Sequence, residues 1–458
     1  MSNVIESLSE KDVNSLLHPY TDARLHQETG PLIIERGEGI YVFDDQGKKY
    51  IEGMSGLWSV AVGFNNQRLI AAAHEQMSRL PYYHIFNQKS HRPSIELADR
   101  LLSIAPAPMS KVFFTNSGSE ANDTLIKLVW YRNNSLGLTR KKKFISRKSG
   151  YHGITIASGS LTGLPNNHRS FDLPLPGFLH VSAPHHYRDA KSGETEEDYA
   201  TRLAAELDAL IQREGAETVA AFIAEPVIGA GGVLVPPRTY WAKIQEVCRR
   251  NEILLLIDEV ICGFGRTGNM FGCETYGIKP DAMVVSKQLS SSYQPIAAVL
   301  VNENIFEPIA DETHRIGTLG HGLTASGHPV ATAVALENLN VIEEEGLVEN
   351  ACHVGELLLS ELGKFNEFPL VGEVRGVGLL AAIELKFSEE LQSKNIEAGS
   401  LGRYMAGRAQ HHGLIIRPIG DAVALCPPLI TRPHEIDSIL GRLKLAMNDT
   451  QKWCLGSS

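Results

Sequence analysis

The chain has 458 residues, of which 43% are hydrophobic, and its formal net charge is −10 at pH 7. This length favours two closely associated domains over one simple core. The acidic balance argues against nucleic acid or an anionic membrane surface as the main partner, because either would favour a basic excess.

The N-terminal region predicts no export signal. Its first twenty residues carry acids among the apolar positions and lack the basic start and apolar centre of a signal peptide. No stretch reaches the ~20 apolar residues that a bilayer crossing needs. The six cysteines include no CxxC pair, so zinc and dithiol redox chemistry lack support. We therefore expect a soluble, reduced, cytoplasmic protein without a membrane partner.

Three regions follow one another in the chain. Residues 39–53 alternate apolar and polar side chains around a DDQG turn, which predicts a hairpin with one covered face. Short apolar strands then alternate with amphipathic helices, which predicts a largely parallel α/β sheet; the clearest strands are KVFFTNS, FIAEPV, LLLIDEV and DAMVVSK. A long helix and new strand runs follow, as in an α+β domain. We expect a large domain at 65–325 and a small one at 326–458, with residues 1–64 packing against the small domain.

The segment FFTNSGSEAND (113–123) runs from a strand through a turn of small residues into a helix. Backbone N–H groups at a helix start can hold an anion, and Gly118 allows close approach to the backbone. Ser119 would add a hydroxyl to a bound phosphate, and Ser117 begins the same turn. A plain serine N-cap explains this fragment equally well when it is taken alone.

Two later motifs place functional groups next to glycines. In SGYHGIT (149–155), Tyr151 and His152 lie in a loop, and a tyrosine can stack on a flat heteroaromatic ring. Ordinary packing is the commoner fate of a single tyrosine. In AEPVIGAGG (224–232), Glu225 ends a strand, which is where open α/β sheets place ligands. A carboxylate bonded to the backbone is an equal alternative for Glu225.

Two charged residues end two apolar strands and need a common explanation. Asp258 follows the covered strand of LLLIDEV, and Lys287 ends DAMVVSK. Both charges would be costly to bury without partners. A pyridoxal ring satisfies both residues, because its pyridinium nitrogen favours an anion and its aldehyde reacts with an amine. The pair therefore predicts a pyridoxal-phosphate site.

The run GFGRTG (263–268) matches the GxGxxG dinucleotide fingerprint and follows a strand. The residues after it do not open an amphipathic helix, and the carboxylates of Asp258 and Glu259 upstream would repel a pyrophosphate. We interpret it as a glycine-rich loop, in which Arg266 is more often a salt-bridge partner than a ligand.

Six ordered motifs resemble those of the class III aminotransferases, which are pyridoxal-phosphate enzymes of fold type I. They are SGSEAN (117–122), YHG (151–153), EPV (225–227), DEV (258–260), SK (286–287) and HGLTASGHP (321–329). The resemblance spans nearly the whole chain. It implies an α/β fold whose large domain holds a mainly parallel seven-stranded sheet beside a smaller α+β domain.

The resemblance also implies roles around the cofactor ring. Lys287 would form the Schiff base and move the proton, and Asp258 would pair with the pyridinium nitrogen, so these two would be the catalytic residues. Val260 and Tyr151 would lie on opposite ring faces. His152 belongs to the matched motif, with a less defined role.

The implied phosphate contacts come from two chains. Gly118 and Ser119 would belong to one subunit, and Thr324 would be supplied by the other subunit of a homodimer, which could pair further into a tetramer. Ser117 and Glu225 complete the expected cofactor-binding set.

Within this class, LWS (57–59) and GLIIRP (413–418) look most like the ω-amino acid or amine:pyruvate transaminases. Arg417 would pair with a substrate carboxylate and swing aside for an uncharged substrate. A surface ion pair is the commoner role of a single arginine. The expected substrate-binding residues are Tyr20, Leu57, Trp58, Phe86, Tyr151 and Arg417.

The resemblance implies a ping-pong reaction, in which an ω-amino acid or primary amine passes its amino group through pyridoxamine phosphate to pyruvate or another 2-oxo acid. Decarboxylation, an aminomutase reaction and a non-catalytic pyridoxal-phosphate-binding protein are the alternatives. One departure concerns QLSSSYQP (288–295), where many relatives have small, glycine-containing sequence. We expect its serines to alter substrate polarity near the cofactor.

Overall fold

Three sheets organise the computed structural model, which describes residues 7–456. The strands are β1 (Ile34–Glu38), β2 (Tyr41–Asp44), β3 (Lys49–Glu52), β4 (Lys111–Thr115), β5 (Lys143–Arg147), β6 (Phe178–Val181), β7 (Val219–Ala224), β8 (Leu254–Asp258), β9 (Ala282–Val285), β10 (Ala297–Val301), β11 (Val371–Val377), β12 (Leu380–Leu385), β13 (Leu414–Ile415), β14 (Arg417–Ile419) and β15 (Ala422–Leu425).

The α-helices surround these sheets. They are α1 (Leu8–Ser15), α2 (Ala23–Thr29), α3 (Ser55–Trp58), α4 (Gln67–Arg79), α5 (Arg92–Ile104), α6 (Gly118–Ser135), α7 (Ile156–Leu161), α8 (His186–Asp189), α9 (Glu196–Glu214), α10 (Tyr240–Arg250), α11 (Gly272–Tyr276), α12 (Glu303–Ile316), α13 (Pro329–Glu344), α14 (Leu347–Gly363), α15 (Glu389–Ser393), α16 (Leu401–His411) and α17 (Pro433–Leu455). Within residues 7–456, none of them is long and apolar enough to cross a membrane.

The largest sheet has seven strands in the order β4-β10-β9-β8-β7-β5-β6. Strands β5 to β9 pair in parallel, whereas β10 is antiparallel to both β4 and β9. Every residue of β7, β8, β9 and β10 is buried. Continuous apolar runs form such strands because helices cover both faces of the sheet. The predicted mainly parallel sheet is therefore confirmed.

Two four-stranded sheets lie outside the large one, in the orders β1-β2-β3-β13 and β11-β12-β15-β14. The predicted N-terminal hairpin, β2 and β3, pairs through β3 with β13 near the C-terminus. This pairing links the hairpin to a strand from the C-terminal region.

The run GLIIRPIG (413–420) has the apolar pattern of a single strand, but it forms two short ones. Ile416 separates β13 from β14, and the two strands belong to different sheets. Arg417 is thereby the first residue of β14, where it pairs with Ala424 of β15. The apolar pattern marked extended backbone, but it could not show that the partner strand changes at Ile416.

Candidate active site

Four predicted site residues follow strands that run in the same direction. Tyr151 comes after β5, Glu225 after β7, Asp258 ends β8, and Lys287 comes after β9. Because these strands are parallel neighbours, their carboxyl ends meet at one edge of the sheet, which is where such sheets bind ligands. The topology thus explains why residues more than a hundred positions apart share one site.

The Asp258 carboxylate is buried and held by hydrogen bonds. Its Oδ2 accepts from the Asn122 side-chain amide at 2.9 Å and lies 2.9 Å from Nδ1 of His152. Its Oδ1 accepts from the backbone N–H of Val260 at 3.1 Å. No lysine or arginine forms an ion pair with this carboxylate in residues 7–456. The carboxylate is fixed in place and remains available to a cationic ligand.

Lys287 adopts a backbone conformation that is uncommon for residues other than glycine. Its φ is 47°, in the left-handed region, directly after β9 and Ser286. Such strain is concentrated at functional sites. Burial lowers the pKa of Lys287 to about 8, although the charges of Asp258 and Glu225 oppose the shift. A larger fraction of this amine is therefore neutral near physiological pH than for an ordinary lysine.

The start of α6 borders the same site. Ser117 is the N-cap of α6, and its hydroxyl accepts from the backbone N–H of Glu120 at 3.2 Å, as in the simpler of the two interpretations above. A Cβ placed on Gly118 would lie 3.3 Å from a methyl of Val260, so the backbone approaches this side chain closely. The hydroxyl of Ser119 accepts from the N–H of Ile154 at 3.2 Å.

Glu225 supports Tyr151 from behind. Its two carboxylate oxygens accept from the backbone N–H groups of Tyr151 at 3.0 Å and Gly229 at 2.9 Å. These contacts match the structural alternative for Glu225, and burial raises its pKa. Burial also raises the pKa of the Tyr151 phenol, beside which Tyr20 and Arg417 lie.

A cavity of about 310 Å³ connects these groups, a volume typical of small-ligand sites. Its lining includes eleven of the predicted site residues: Tyr20, Leu57, Trp58, Gly118, Ser119, Tyr151, His152, Asp258, Val260, Lys287 and Arg417. The structure therefore brings together residues from the N-terminal segment, the seven-stranded sheet and the C-terminal sheets.

Four predicted site residues do not line this cavity: Ser117, Glu225, Phe86 and Thr324. The first two lie behind the lining. Phe86 packs against Gly322 on another part of the surface, and the carbonyl of Thr324 accepts from the Tyr82 hydroxyl at 2.8 Å. Phe86 and Thr324 thus lie outside the cavity of their own chain.

One wall of the cavity is a strained turn. Ser55 and Trp58 have φ values of 50° and 63°, and Leu57 protrudes between them into solvent. The hydroxyl of Ser55 accepts from the buried Arg266 at 3.2 Å and donates to the carbonyl of Cys426 at 2.6 Å. Arg266 also donates to the carbonyl of Pro427. Its salt-bridge role was a wrong expectation, because in residues 7–456 this arginine bonds to a hydroxyl and a carbonyl instead.

The side chain of Arg417 lines the cavity without a bonded partner. Within residues 7–456, no carboxylate forms an ion pair with its guanidinium and no hydrogen bond holds it. Burial lowers the pKa of its guanidinium, whereas the neighbouring phenols of Tyr20 and Tyr151 oppose the shift. A partly buried, unpaired guanidinium is a ready binding group for a carboxylate.

The sequence interpretation missed several lining residues, of which Asn122 has the most contacts. Its amide donates to the carbonyl of His152 at 2.7 Å as well as to Asp258. A signal was present, because Asn122 lies four residues after Gly118 in a predicted helix and so shares its face. The other missed residues are Pro19, Gly153, Leu164, Ala230 and Ser286.

The serines after Lys287 do not line the cavity, so the expected change in its polarity is not supported. Ser291 donates to the side chain of Asn338 at 2.6 Å and accepts from the N–H groups of Ala61 and Val62, each at 3.2 Å. The Tyr293 hydroxyl donates to the carbonyl of Gly63 at 2.7 Å. The segment instead ties the lysine turn to the chain that follows Trp58.

The donor set fits pyridoxal phosphate. A buried carboxylate without a cationic side-chain partner could face the ring nitrogen, and a lysine on the adjacent strand could reach the aldehyde. The start of α6 could hold the phosphate, because the first N–H groups of a helix lack intrahelical partners. Fold and site together define a pyridoxal-phosphate-dependent enzyme of fold type I.

Comparison with known proteins specifies the family. A sequence model of the family described as aminotransferase class-III matches residues 23–447, and the chain belongs to this family. The ω-transaminase from Pseudomonas jessenii in complex with PMP is 66% identical, with a TM-score of 0.96 over 99% of this chain and 100% of that one.

Plant relatives are also similar over most of their length. Gamma aminobutyrate transaminase 3, chloroplastic, from Solanum lycopersicum is 46% identical over 96% of this chain and 84% of the relative. Vanillin aminotransferase from Capsicum annuum is 45% identical over 99% of this chain and 98% of the relative. The protein is thus an aminotransferase that uses pyridoxal phosphate and takes an amine donor and a 2-oxo acid acceptor.

Proposed function

We propose that this aminotransferase moves an amino group from an ω-amino acid or another primary amine to pyruvate or another 2-oxo acid. The observation that carries the proposal is the unpaired guanidinium of Arg417 in the cavity that also contains Lys287. Its position on a different sheet from Lys287 would let a substrate carboxylate bind away from the reacting amine.

When bound, pyridoxal phosphate supplies an aldehyde that takes up the amine and a ring that delocalises the electron pair left on carbon. Lys287 Nζ, once neutral, would accept the proton from that carbon and return it to the carbon on the other side of the transferred nitrogen. Asp258 would keep a proton on the ring nitrogen, while Asn122 and His152 hold its carboxylate in position. A positioned base of this kind contributes ~10²–10⁴-fold in rate.

The remaining residues would orient the cofactor. Gly118 and Ser119 at the start of α6 would hold the phosphate, and the side chains of Tyr151 and Val260 would enclose the ring. Ser117 and Glu225 would act through other residues, as the cap of α6 and the support of Tyr151.

Arg417 would serve two kinds of substrate. The tomato relative is named for gamma aminobutyrate, which carries a carboxylate, and the pepper relative for vanillin, an aldehyde without one. A guanidinium without a fixed partner can pair with a carboxylate or move aside for an uncharged group. Trp58, Leu57 and Tyr20 would form the apolar walls around the substrate.

We further propose a homodimer with shared active sites, and two such dimers could pair into a tetramer. Phe86 and Thr324 lie outside the cavity of their own chain, on segments 82–86 and 322–324, which contact each other. In a dimer they would complete the partner's site, with Thr324 at the phosphate and Phe86 at the substrate wall. We also propose a cytoplasmic location, supported by six unpaired cysteines, although the tomato relative is named chloroplastic.

The test follows the donor half-reaction alone, because pyruvate itself carries a carboxylate and would mask the effect on the donor. The purified, cofactor-loaded enzyme and its Arg417→Ala variant are mixed with 4-aminobutyrate, β-alanine or 1-phenylethylamine, and the loss of cofactor absorbance is timed. We expect Arg417→Ala to slow the two amino acids by about 10–100-fold, the loss of a charged hydrogen-bonded pair of ~1.5–3 kcal/mol. The rate with 1-phenylethylamine should change little.

Arg403→Ala is the matched control, because Arg403 is exposed on α16 and lies outside the cavity. Its rates should equal those of the wild type with every donor. An equal loss with charged and uncharged donors in Arg417→Ala would contradict carboxylate recognition. Failure to form alanine in proportion to the donor consumed, with pyruvate present, would contradict transamination to pyruvate.

A further inference from the structure

Three side chains converge at the N-terminal helix-loop-helix, away from the catalytic groups. Asp12 lies on α1, His26 on α2, and His18 in the loop between them. Nε2 of His18 lies 2.9 and 3.0 Å from the two oxygens of Asp12, and Nε2 of His26 lies 2.9 Å from Oδ1 of the same residue. One ligand atom from each residue lies within 4.8 Å of the other two.

Two imidazole nitrogens and one carboxylate oxygen form a ligand set for divalent transition metals. In an octahedral or square-planar site, metal bonds of ~2.0–2.2 Å meet at right angles and place neighbouring ligand atoms ~3 Å apart. The nitrogen-to-oxygen distances of 2.9 Å already match this spacing for both histidines. An ion would therefore replace the protons between these atoms without a large movement of the chain.

The surroundings also suit an ion. All three side chains are partly buried, so the ligands are held in place while an ion can still enter. The two imidazole rings lie side by side, with centroids 4.2 Å apart. Mg²⁺ and Ca²⁺ favour sites made of oxygen ligands, so this pair of imidazoles would discriminate against them.

The loop that carries His18 continues into the active site. Pro19 and Tyr20 follow directly and line the cavity, and the Tyr20 hydroxyl accepts a hydrogen bond from the Asn167 side chain. The backbone of Tyr20 is left-handed, with φ of 51°. A link between α1, the loop and α2 would therefore fix the cavity wall that Tyr20 forms.

We propose that Asp12, His18 and His26 bind one divalent transition-metal ion, which holds the loop bearing Pro19 and Tyr20 in position against the cavity. Binding of the ion is independent of the proposed function. Only the effect of the ion on substrates rests on the proposed function, because it requires Tyr20 to form a wall of the active site.

The direct test is equilibrium dialysis of the cofactor-loaded enzyme, without an affinity tag, against Ni²⁺ or Co²⁺, with Mg²⁺ as a comparison. The variants are His18→Gln and His26→Gln, because a glutamine amide can still donate to Asp12 but is a poor metal ligand. His434→Gln is the matched control, since His434 is exposed at the start of α17. The glutamine variants separate metal binding from the hydrogen bonds.

We expect one Ni²⁺ or Co²⁺ per chain in the wild type and in His434→Gln, and no stoichiometric uptake of Mg²⁺. Each of the two glutamine variants should weaken binding by at least about 10-fold, the smallest loss seen even when an outer-shell partner is removed. No stoichiometric uptake by the wild type, or uptake unchanged in both glutamine variants, would overturn the proposal.

A second measurement tests whether the bound ion holds the loop in position. Ni²⁺ should slow limited proteolysis between residues 16 and 22 by at least about 10-fold in the wild type and not in the double variant His18→Gln/His26→Gln. Binding of the ion without this protection would contradict the proposal that it holds the loop in position. Loss of amino transfer in every sample would count against the proposed function alone, because neither dialysis nor proteolysis requires turnover.

Discussion

The two ends of the cavity are built in different ways. The floor, formed by Asn122, His152, Asp258 and Lys287, is set on the large sheet and α6, and hydrogen bonds link its first three members. The rim is formed by Tyr20, in the loop between α1 and α2, and by Leu57, in the strained turn of α3, and these residues are 65% and 59% exposed. Phe86 lies outside the cavity of its own chain and is not part of this rim.

The contrast separates what the chemistry demands from what the substrate demands. A fixed carboxylate and a buried lysine serve any amine, because they act on the cofactor and the reacting carbon. Exposed loop residues can change without disturbing the sheet, so they can define which amine enters. Substitutions in the floor should therefore affect all substrates alike, and substitutions in the rim should affect them unequally.

The largest expected effect comes from two substitutions, one in the floor and one outside the cavity. Lys287→Ala should abolish turnover and the absorbance of the lysine-bound cofactor, and Thr324→Arg should block the partner's phosphate position in the proposed dimer. Co-expression of the two inactive chains would create one intact site per mixed dimer. Turnover by the purified mixed dimer, measured against each variant alone, is the expected result. An inactive mixed dimer would contradict shared sites, and normal turnover by Lys287→Ala would contradict its catalytic role.

Asp258→Asn should lower kcat by about 10²–10³-fold with every donor, the loss typical of one preorganised electrostatic group. Asparagine keeps the volume and can still bond to Asn122 and His152, so the site should remain assembled. The measurement is kcat for 4-aminobutyrate and 1-phenylethylamine, with bound cofactor quantified after dialysis. A decrease in kcat with only one of the two donors would mean that Asp258 affects substrate selection, as expected of the rim.

The lowered pKa of Lys287 predicts how cofactor attachment depends on pH. Attachment needs the neutral amine, and burial shifts its appearance from pH 10.5 to about 8. The attachment rate of the cofactor-free protein should therefore rise about tenfold per pH unit below 8 and level off above it. Stopped-flow absorbance gives the profile, with N-acetyl-lysine amide as an unburied comparison that keeps rising toward 10.5. A midpoint near 10.5 for the protein would contradict burial of the amine.

The smallest expected effect is at the rim. Leu57→Ala should lower kcat/KM for small amines by up to about tenfold through lost apolar contact, and should leave bulky amines unaffected. The free energy of unfolding should change by less than about 0.5 kcal/mol, because Leu57 is exposed. Leu445→Ala, an exposed leucine on α17, is the matched control. An equal decrease in kcat/KM for small and bulky amines would contradict a role of Leu57 in substrate selection.

Local sequence was sufficient for the elements that carry the floor. The apolar runs before Asp258 and Lys287 predicted buried strands, and β8 and β9 occupy those runs as parallel neighbours. A strand that is buried on both faces leaves a direct pattern in the sequence, because each of its residues must be apolar. The charges at the ends of these strands were therefore conspicuous, and they predicted the cofactor that the family uses.

Packing between distant parts of the chain decided the rest. The sequence could not show that Arg266 would bond to Ser55 and Pro427, or that Ser291 would bond to Asn338. These contacts join segments separated by tens to hundreds of residues, so no local periodicity records them.

The amino-acid sequence by itself determined the fold class, the cofactor and the positions of Asp258 and Lys287 at the ends of two buried strands, because strand burial and strand-end chemistry are local properties. Only the tertiary structure decided that Asn122 holds Asp258, that the Arg417 side chain has no partner within residues 7–456, and that Phe86 lies outside the cavity of its own chain. The physical reason is that a side chain's partners depend on which distant elements pack against it, and the family resemblance and local patterns do not specify those neighbours.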